Sequence, residues 1–580
     1  MISARWAIAS GLLFAATAAA AAPAEEPAIA ITLAPRQAPG GAGIASVSVT
    51  LRFDGVAAAA GAPLLRLPLV VSNVDTVATV ISDLTAEDAS GPLQLTARPV
   101  TAPGDTAAGD PSLEWVASRA TAGTVTVHYS VPAEATLPPR GAAPPFSFTN
   151  DGGGVSAAGN VFILLPPQDA RYRTTIDWDM RAAPAGSRGI SSIGEGHVVA
   201  SEPMRGSQLR STFFMAGRIG TWPARVPAAG FFGAWQGNPP FDASGLLAWT
   251  GSLYDHYSKF FGQKEPPPYG VFLRYNPINA GGGVGLNHSF VTTFGKGDGG
   301  DVSKVKITLA HEMFHTFQPR IGQPAGLESS WFAEGLAVFY AARLALRYDM
   351  ISPDDFLKEI NGTAARYYTS IMATVPNSEV PKRFWADTRI RTLPYDRGML
   401  YFATVDDAMR KASKGKRSLD DLMLAMLALQ KSGKTLSNAD WEAQLQGSLG
   451  TGAVEDFRAF LGGRMPVPAS DAFGPCFRRT TRPLRRYELG FDTAVLAETK
   501  RVVRGLVAGS AAAAAGLRDG DEILVPVPQD GIQGNQTQTL TLQIRRDGKD
   551  FPITYLPRGE TVDTYQWERA GNAAPATCSL

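Results

Sequence analysis

One helical pattern constrains this chain more than any other, because it has to bring two histidines and a distant glutamate together. From His311 to His315 the sequence reads H-E-M-F-H, and eighteen residues separate His315 from Glu334. At 3.6 residues per turn, two residues four apart lie about 40° from each other around a helix, so both imidazoles can reach one ion. Glu312 lies at the flank of the same face, where its carboxylate can act on a water molecule without binding the ion.

The residues around Glu334 predict a second helix that faces the first. Glu334 lies in the apolar run W-F-A-E-G-L-A-V-F, and a carboxylate in such a helix is rarely buried without a partner. Two histidines and one glutamate form a ligand set that holds zinc and leaves one position open for water. We therefore expect one zinc ion per chain, with His311, His315 and Glu334 as ligands and Glu312 as general base. The alternative, an ordinary turn of an amphipathic helix, does not explain a glutamate at this spacing.

The composition limits the size and the partners of the protein. A chain of 580 residues is expected to fold into several domains. Only 18% of the residues are charged, and the formal net charge is +1. There is thus no general electrostatic reason to expect binding to nucleic acid or to an anionic membrane surface, and we expect neither as a partner.

The first residues have the pattern of a secretory signal peptide. Residues 1–22 contain one positive charge at Arg5, an apolar segment at 8–14 and a run of alanines. Cleavage is expected between Ala20 and Ala24. No cysteine lies directly after the apolar segment, and no later stretch has about 18 uninterrupted apolar residues. We therefore expect an exported protein, periplasmic or secreted, without a membrane anchor.

The two cysteines, Cys476 and Cys578, are expected to form a disulfide bond, since pairing is favoured in an exported protein. The bond would close a loop of about 100 residues, for which chain entropy gives a stabilisation of roughly 4–5 kcal/mol at most. The alternative is two unpaired thiols, and neither cysteine lies near the histidine pattern in the sequence.

Hydrophobic periodicity divides the chain into regions. Residues 28–234 consist of short segments that alternate apolar and polar residues, such as V-S-V-T-L at 47–51, which predicts an N-terminal antiparallel β domain. The apolar run 161–165 is interpreted as a fully buried strand. Residues 235–375 mix helices and strands around the H-E-M-F-H pattern, and residues 376–470 predict a helical domain.

The C-terminal region resembles a bacterial PDZ domain. Leu489, Gly490 and Phe491 resemble the loop that offers backbone N–H groups to a peptide carboxylate in that family, where the ligand adds as a strand. The run A-G-L-R-D-G-D-E-I resembles a turn motif of the same family. The resemblance implies a PDZ-like β domain at 485–560, a C-terminal peptide as its partner, and a C-terminal tail at 561–580.

Taken in order, these regions resemble the glycyl aminopeptidase family of gluzincin metallopeptidases. The resemblance implies a multidomain α+β fold, with an N-terminal antiparallel β domain, a thermolysin-like catalytic domain, a helical domain and a C-terminal PDZ-like β domain.

A further match to this family is P-Y-D-R-G at 394–398. In related gluzincin aminopeptidases the tyrosine of a similar run supports the tetrahedral oxyanion, so the resemblance gives that role to Tyr395. The alternative for Tyr395 is an aromatic residue packed at a helix start.

One segment differs from the family pattern. Before the zinc helix the family has G-G-L-E-H, whose glutamate holds the free amine of the substrate, and the matching residues here are Gly285, Leu286, Asn287 and His288. The first three are the expected substrate-binding residues, because an edge strand, expected at 286–291, can pair with an extended peptide. Asn287 has no charge, so the preference for a free N-terminus is expected to be weak.

Three functions agree with these residues. The first is an exported zinc metallopeptidase that resembles an aminopeptidase, acts on peptides or proteins through zinc-activated water, and has altered N-terminal specificity. The second is a zinc endopeptidase with the same chemistry. The third is a PDZ peptide-binding protein whose catalytic domain is idle, and the complete set of zinc ligands together with Glu312 argues against it.

Overall fold

The computed structural model of the chain describes residues 26–41, 43–72, 74–100, 111–133, 144–276, 282–295, 302–498, 500–525, 527, 531–571 and 578. The expected signal peptide, residues 1–22, lies outside these residues. Among the helices in this part of the chain, none is both long and apolar enough to cross a membrane.

The N-terminal region folds into β-sheets because apolar and polar residues alternate along its strands. In β1 the residues alternate between buried and partly exposed, so one face of the strand packs on the core. The elements of this region are β1 Ala28–Gln37, β2 Ile44–Asp54, β3 Pro63–Pro68, β4 Val70–Val71, β5 Val74–Asp75, β6 Ser82–Asp88, β7 Gly91–Pro92, β8 Leu95–Val100, β9 Ser112–Ala117, β10 Val125–Pro132, β11 Thr149–Asp151, β12 Gly154–Ala158, β13 Arg171–Trp178, β14 Arg188–Ser191, β15 Gly194–Glu195, β16 Val198–Val199, β17 Met204–Arg205, α1 Gly206–Arg210 and β18 Phe213–Gly217.

These strands form several sheets around one hydrophobic core. The largest has the order β16-β13-β1-β2-β10-β6-β7, and β17 also pairs with β13. Smaller sheets have the orders β3-β9-β8 and β11-β12-β18-β14-β15, and β4 pairs with β5. The N-terminal β domain that the sequence predicts is thus confirmed.

Two details of this domain differ from the sequence prediction. β1 and β13 pair in parallel, so the largest sheet is not purely antiparallel. Residues 161–165 are buried but do not form a strand. Instead, the Tyr129 hydroxyl donates to the Phe162 carbonyl at 2.8 Å and accepts from the Leu164 N–H at 3.2 Å. A side chain therefore satisfies backbone groups that a neighbouring strand would otherwise pair with.

The H-E-M-F-H helix packs against a second five-stranded sheet, with the order β19-β20-β21-β23-β22. Its three inner strands are parallel, and each outer strand is antiparallel to its neighbour. β20 belongs to the sheet that the H-E-M-F-H helix packs against, because it pairs with β21, and it lies at 231–235, at the end of the expected N-terminal β domain. The elements are β19 Gly220–Trp222, β20 Phe231–Trp235, α2 Ala243–Phe260, β21 Tyr269–Tyr275, β22 Gly283–Leu286, β23 Ser289–Phe294 and α3 Val302–Phe314.

The single edge strand expected at 286–291 is wrong, because a turn divides this segment. β22 and β23 form a hairpin, with Leu286 opposite Ser289. Asn287 and His288 make the turn, and His288 has a φ of 48°, a left-handed conformation that residues other than glycine rarely adopt. The exposed edge of the sheet is therefore β22, and β23 lies inside it.

A bundle of helices follows and completes the main hydrophobic core. The elements are β24 Ile321–Gln323, α4 Ser330–Arg347, α5 Pro353–Tyr368, α6 Val380–Arg383, α7 Thr388–Arg391, α8 Leu393–Ala412, α9 Leu419–Lys431, β25 Leu436–Ser437, α10 Asn438–Leu449 and α11 Thr451–Leu461. α4 and α8 cross at Gly335 and Gly398, where a methyl group on Gly335 would lie 2.7 Å from Cα of Gly398. The two helix backbones therefore touch at this crossing.

The C-terminal region consists of a long two-stranded ribbon and a small sheet with its own core. Its elements are β26 Phe477–Tyr487, β27 Arg501–Val502, α12 Ala511–Ala514, β28 Glu522–Ile523, β29 Leu540–Arg546, β30 Lys549–Tyr555 and β31 Arg558–Arg569. β31 pairs with β26 along its length, so the expected tail at 561–580 begins as a strand. Cys476 and Cys578 are buried and form a disulfide bond.

Candidate active site

Three side-chain atoms converge where α3 and α4 face each other. Nε2 of His311 lies 3.1 Å from Oε2 of Glu334, Nε2 of His315 lies 3.3 Å from the same oxygen, and the two Nε2 atoms are 3.2 Å apart. α3 carries His311 but ends at Phe314. His315 therefore lies in the tightened turn that follows, in which the Phe317 N–H donates to the Phe314 carbonyl.

These distances fit a zinc ion. Ligand atoms about 2.0–2.1 Å from a tetrahedral zinc are about 3.3 Å from one another. Two imidazoles and a carboxylate are donor types that zinc prefers, and three protein ligands leave the fourth position for water. His311, His315 and Glu334, whose ligand atoms all lie within 4.8 Å of one another, would together hold one zinc ion.

The two histidines keep a negative charge on Glu334 in this buried site. The side chains of His311 and Glu334 are only 12% and 22% exposed. Burial opposes ionisation of Glu334, but hydrogen bonds from His311 and His315 outweigh it and hold the pKa of Glu334 well below its usual range. Burial also favours the neutral ring of His311, yet the hydrogen bond to Glu334 and the nearby carboxylates raise the pKa of His311. Such a site favours a bound cation.

Glu312 lies beside the three ligands and under the edge strand. Burial raises the pKa of its carboxyl group, and the imidazoles of His311 and His315 counteract only part of this. A raised pKa suits a group that takes up and releases a proton near neutral pH. A methyl group on Gly285 of β22 would lie 3.5 Å from Oε2 of Glu312, so the edge strand passes next to this carboxylate.

Tyr395 reaches the site from the first turn of α8. Its ring lies beside that of His311, with centroids 5.8 Å apart and planes inclined by 23°. α8 can come this close because Gly398, one turn after Tyr395, touches Gly335, the residue that follows Glu334. The P-Y-D-R-G run thus supplies both an aromatic ring next to a candidate ligand and the glycine that lets the helices meet.

The three expected substrate-binding residues have different surroundings. Gly285 lies next to Glu312, as described. Leu286 packs against the core of the N-terminal domain. Asn287 lies in the hairpin turn, where its backbone N–H donates to the Ser211 carbonyl at 2.9 Å. The structure therefore brings Gly285 to the site, uses Leu286 in packing, and places Asn287 at the end of the edge strand.

Gln318 is a site residue that the sequence pattern does not reveal. It is buried, and its Nε2 lies 2.5 Å from Nδ1 of His315 and 3.1 Å from the Ala333 carbonyl. Its side chain therefore connects the ring of one candidate ligand with the helix that carries another, Glu334. The sequence offers one signal for it, a polar residue three positions after His315.

The segment Leu489–Phe491, the expected peptide-binding loop, borders the core of the small C-terminal sheet. Leu489 and Phe491 are buried in the core of the small C-terminal sheet, and the Leu489 carbonyl accepts a hydrogen bond from the Tyr555 hydroxyl at 2.8 Å. The following residues, Thr493–Ala497, form a 3-10 helix.

Comparisons with known proteins give one family match and several structural matches. Residues 305–380, which include all three candidate ligands, match the family model of the M61 glycyl aminopeptidases. An aminopeptidase N family protein from Idiomarina loihiensis matches 95% of the chain over 99% of its own length, with a TM-score of 0.63 and 15% identity. An M1 zinc metallopeptidase from Deinococcus radiodurans matches 76% of the chain over 94% of its own, with a TM-score of 0.44 and 14% identity.

Curated proteins give no match to this sequence. The chain has the fold of the Idiomarina aminopeptidase N family protein, and its residues 305–380, which hold the candidate metal site, are similar to the M61 glycyl aminopeptidases.

Proposed function

We propose that this protein is a zinc metallopeptidase that resembles an aminopeptidase and has altered specificity for the substrate N-terminus. The observation that carries the proposal is the convergence of His311, His315 and Glu334 within 3.3 Å, with Glu312 and Tyr395 beside them. The similarity of residues 305–380 to a peptidase family supports it.

Each residue of the site has a separate role in peptide hydrolysis. Zinc, when bound by the two histidines and Glu334, polarises the scissile carbonyl and lowers the pKa of water. Glu312 accepts a proton from the attacking water and delivers it to the leaving nitrogen. The Tyr395 hydroxyl donates a hydrogen bond to the carbonyl oxygen as negative charge develops on it.

The exposed strand β22 is the proposed binding surface for the substrate backbone. It lies at the edge of its sheet, and Gly285 places it next to Glu312. An extended peptide can pair with such an edge through main-chain hydrogen bonds. Asn287, at the end of β22, offers the substrate amine a neutral hydrogen-bond acceptor in place of a carboxylate, which is why an endopeptidase with the same chemistry is the second candidate.

The test is the Glu312→Gln variant, assayed on a matched pair of peptides with free and acetylated N-termini. We expect it to keep its zinc and its fold but to lower kcat at least about 100-fold, the scale of losing a general base. Glu455→Gln, a change of the same chemistry at an exposed position of α11, is the control. Activity of Glu312→Gln equal to that of the control would show that Glu312 is not the base.

The same preparations test the metal. The wild-type protein should contain one zinc per chain, and His315→Ala should lose it, because two ligands bind zinc more weakly than three. Metal analysis after dialysis against a weak chelator measures both. Full zinc occupancy in His315→Ala would contradict the assignment of the ligands.

Two further features of the proposal are separate from the active site. Export is supported by the signal-peptide pattern of residues 1–22 and by the disulfide bond, which is typical of oxidising compartments.

Peptide binding by the 485–560 domain is supported by its sequence motifs alone. Titration with labelled peptides that carry a free or an amidated C-terminus tests it, and equal binding of both would contradict a carboxylate loop.

A further inference from the structure

The C-terminal region rests on the catalytic bundle along one helix, α5. Asn361 of α5 pairs with the backbone of Trp567 in β31, donating to its carbonyl at 2.8 Å and accepting from its N–H at 2.7 Å. At the end of α5, the Thr369 carbonyl accepts a hydrogen bond from Arg486 at 3.1 Å. The contact therefore extends along much of the helix.

Between these two contacts, the loop 531–538 of the C-terminal region presses against α5. A methyl group on Gly534 would lie 2.9 Å from the Gly362 carbonyl and 3.4 Å from Cβ of Arg366. The neighbouring Gln533 is buried and donates to Oγ1 of Thr388, the first residue of α7, at 2.9 Å. The loop thus touches both α5 and the short helix that precedes α8.

The loop is fixed from inside its own domain. Arg558 of β31 is buried and donates hydrogen bonds to the carbonyls of Ile532 and Asn535, on either side of Gly534. A loop held in this way transmits the position of its domain to the surface that it touches, because its backbone cannot move independently of β31.

From α5 an ion pair leads directly to the catalytic tyrosine. The Arg366 guanidinium binds the Asp396 carboxylate with two hydrogen bonds, one of them 2.7 Å from Nε to Oδ2. The Asp396 side chain is only 2% exposed, and removal of one partner from such a pair leaves a buried charge uncompensated. Asp396 directly follows Tyr395, so this pair fixes the first turn of α8 in front of His311.

We propose that the C-terminal region holds Tyr395 in position. It does so through the contacts of loop 531–538 with α5 and through the ion pair between Arg366 and Asp396. The inference rests on the proposed function, in which Tyr395 stabilises the oxyanion. The domain then affects turnover without binding a peptide, and Gly534 and Arg366 are positioning residues.

The first test compares two alanine substitutions in the same loop. Gly534→Ala places a methyl group against the backbone of α5, whereas a methyl group on Gly531 meets nothing within 4 Å, so Gly531→Ala is a matched control. We expect Gly534→Ala to lower kcat about 2- to 30-fold, with KM, zinc content and the thermal transition of the catalytic unit close to wild type. Equal kcat in the two variants would overturn the proposal.

The second test asks whether the effect passes through Tyr395. In a double-mutant cycle, Gly534→Ala should cost much less in a Tyr395→Phe background than in the wild type, because the group that it displaces is already gone. Arg366→Leu leaves the loop unchanged but removes the ion pair, and it should give the same kcat loss and the same non-additivity. This variant keeps the proposal testable if Gly534→Ala detaches the domain altogether.

The outcomes separate this inference from the proposed function. If Tyr395→Phe alone has wild-type kcat, the role of the tyrosine is wrong. If Tyr395→Phe lowers kcat but the effects of Gly534→Ala and Arg366→Leu simply add to it, the tyrosine is catalytic. The proposal that the C-terminal region positions it is then wrong.

Discussion

The candidate metal ligands depend on hydrogen bonds to atoms that face away from the metal position. The imidazole of His315 has one nitrogen at the site and the other within 2.5 Å of Gln318. With a metal on Nε2, Nδ1 of His315 carries the proton, so the amide oxygen of Gln318 has to face it to accept the hydrogen bond. Acceptors in this position set the orientation of a histidine ring, and their loss typically weakens metal binding 10- to 100-fold. No motif in the sequence predicts Gln318, because its role depends on the distance between the end of α3 and the start of α4.

We expect Gln318→Ala to weaken zinc binding about 10- to 100-fold while the fold is retained. Competition with a chromophoric zinc chelator measures the affinity directly, without an activity assay. Gln446→Ala, at an exposed position of α10, serves as control and should bind zinc as the wild type does. Unchanged affinity in Gln318→Ala would mean that the ring of His315 is held by its backbone alone.

At the scale of single elements, the sequence predicts those helices and strands that depend on interactions between residues close together in the chain. The strand over 47–51 and the helices around His311 and Glu334 follow from patterns of a few residues, and all are present. The strand expected at 161–165 is absent because a distant tyrosine satisfies its backbone, and the division of 286–291 depends on a left-handed His288. Neither long-range pairing nor backbone handedness can be read from hydrophobic periodicity.

The hairpin of β22 and β23 gives a prediction about specificity. Asn287→Glu restores a negative charge at the end of the edge strand, and charge-assisted hydrogen bonds are roughly twice as strong as neutral ones. We expect the ratio of kcat/KM for a free over an acetylated peptide to rise about 10- to 100-fold, which corresponds to roughly 1–3 kcal/mol.

Asn287→Gln, which adds length without charge, is the control for this experiment and should leave the ratio near that of the wild type. A ratio that Asn287→Glu does not raise would indicate that another residue holds the substrate amine, or that the substrate passes β22 without placing its N-terminus there.

At the scale of the whole molecule, the residues that the structure describes form three hydrophobic cores. These cores correspond to the N-terminal sheets, the sheet and helices that carry the candidate site, and the small C-terminal sheet. Changes in periodicity along the chain predict this order of regions. The observed borders differ from the predicted ones where a strand from one predicted region completes the sheet of the next. β20 joins the catalytic sheet, and β31 extends into the expected tail.

The disulfide bond joins Cys578 to Cys476, at the start of the ribbon that leads to the C-terminal sheet. Cys578→Ser should lower the free energy of unfolding by up to about 4–5 kcal/mol, since the bond closes a loop of this length in the unfolded chain. Urea unfolding measures the change. Reductant should lower the wild-type midpoint to that of the variant and leave the variant unaffected, and a reductant-insensitive wild type would contradict the bond.

The contact between Gly335 and Gly398 has a consequence for how chains of this kind diverge. Each glycine is adjacent to a working group, Glu334 in one helix and the turn of Tyr395 in the other, yet neither takes part in chemistry. Together they set the spacing between the helices, and a single added methyl group at either one already overlaps the opposite backbone. In related sequences we expect small residues at both positions wherever the tyrosine is retained. In lineages that have lost hydrolysis, we expect larger residues at both positions. Joint substitution at these two sites would then identify inactive descendants even when every metal ligand is still present.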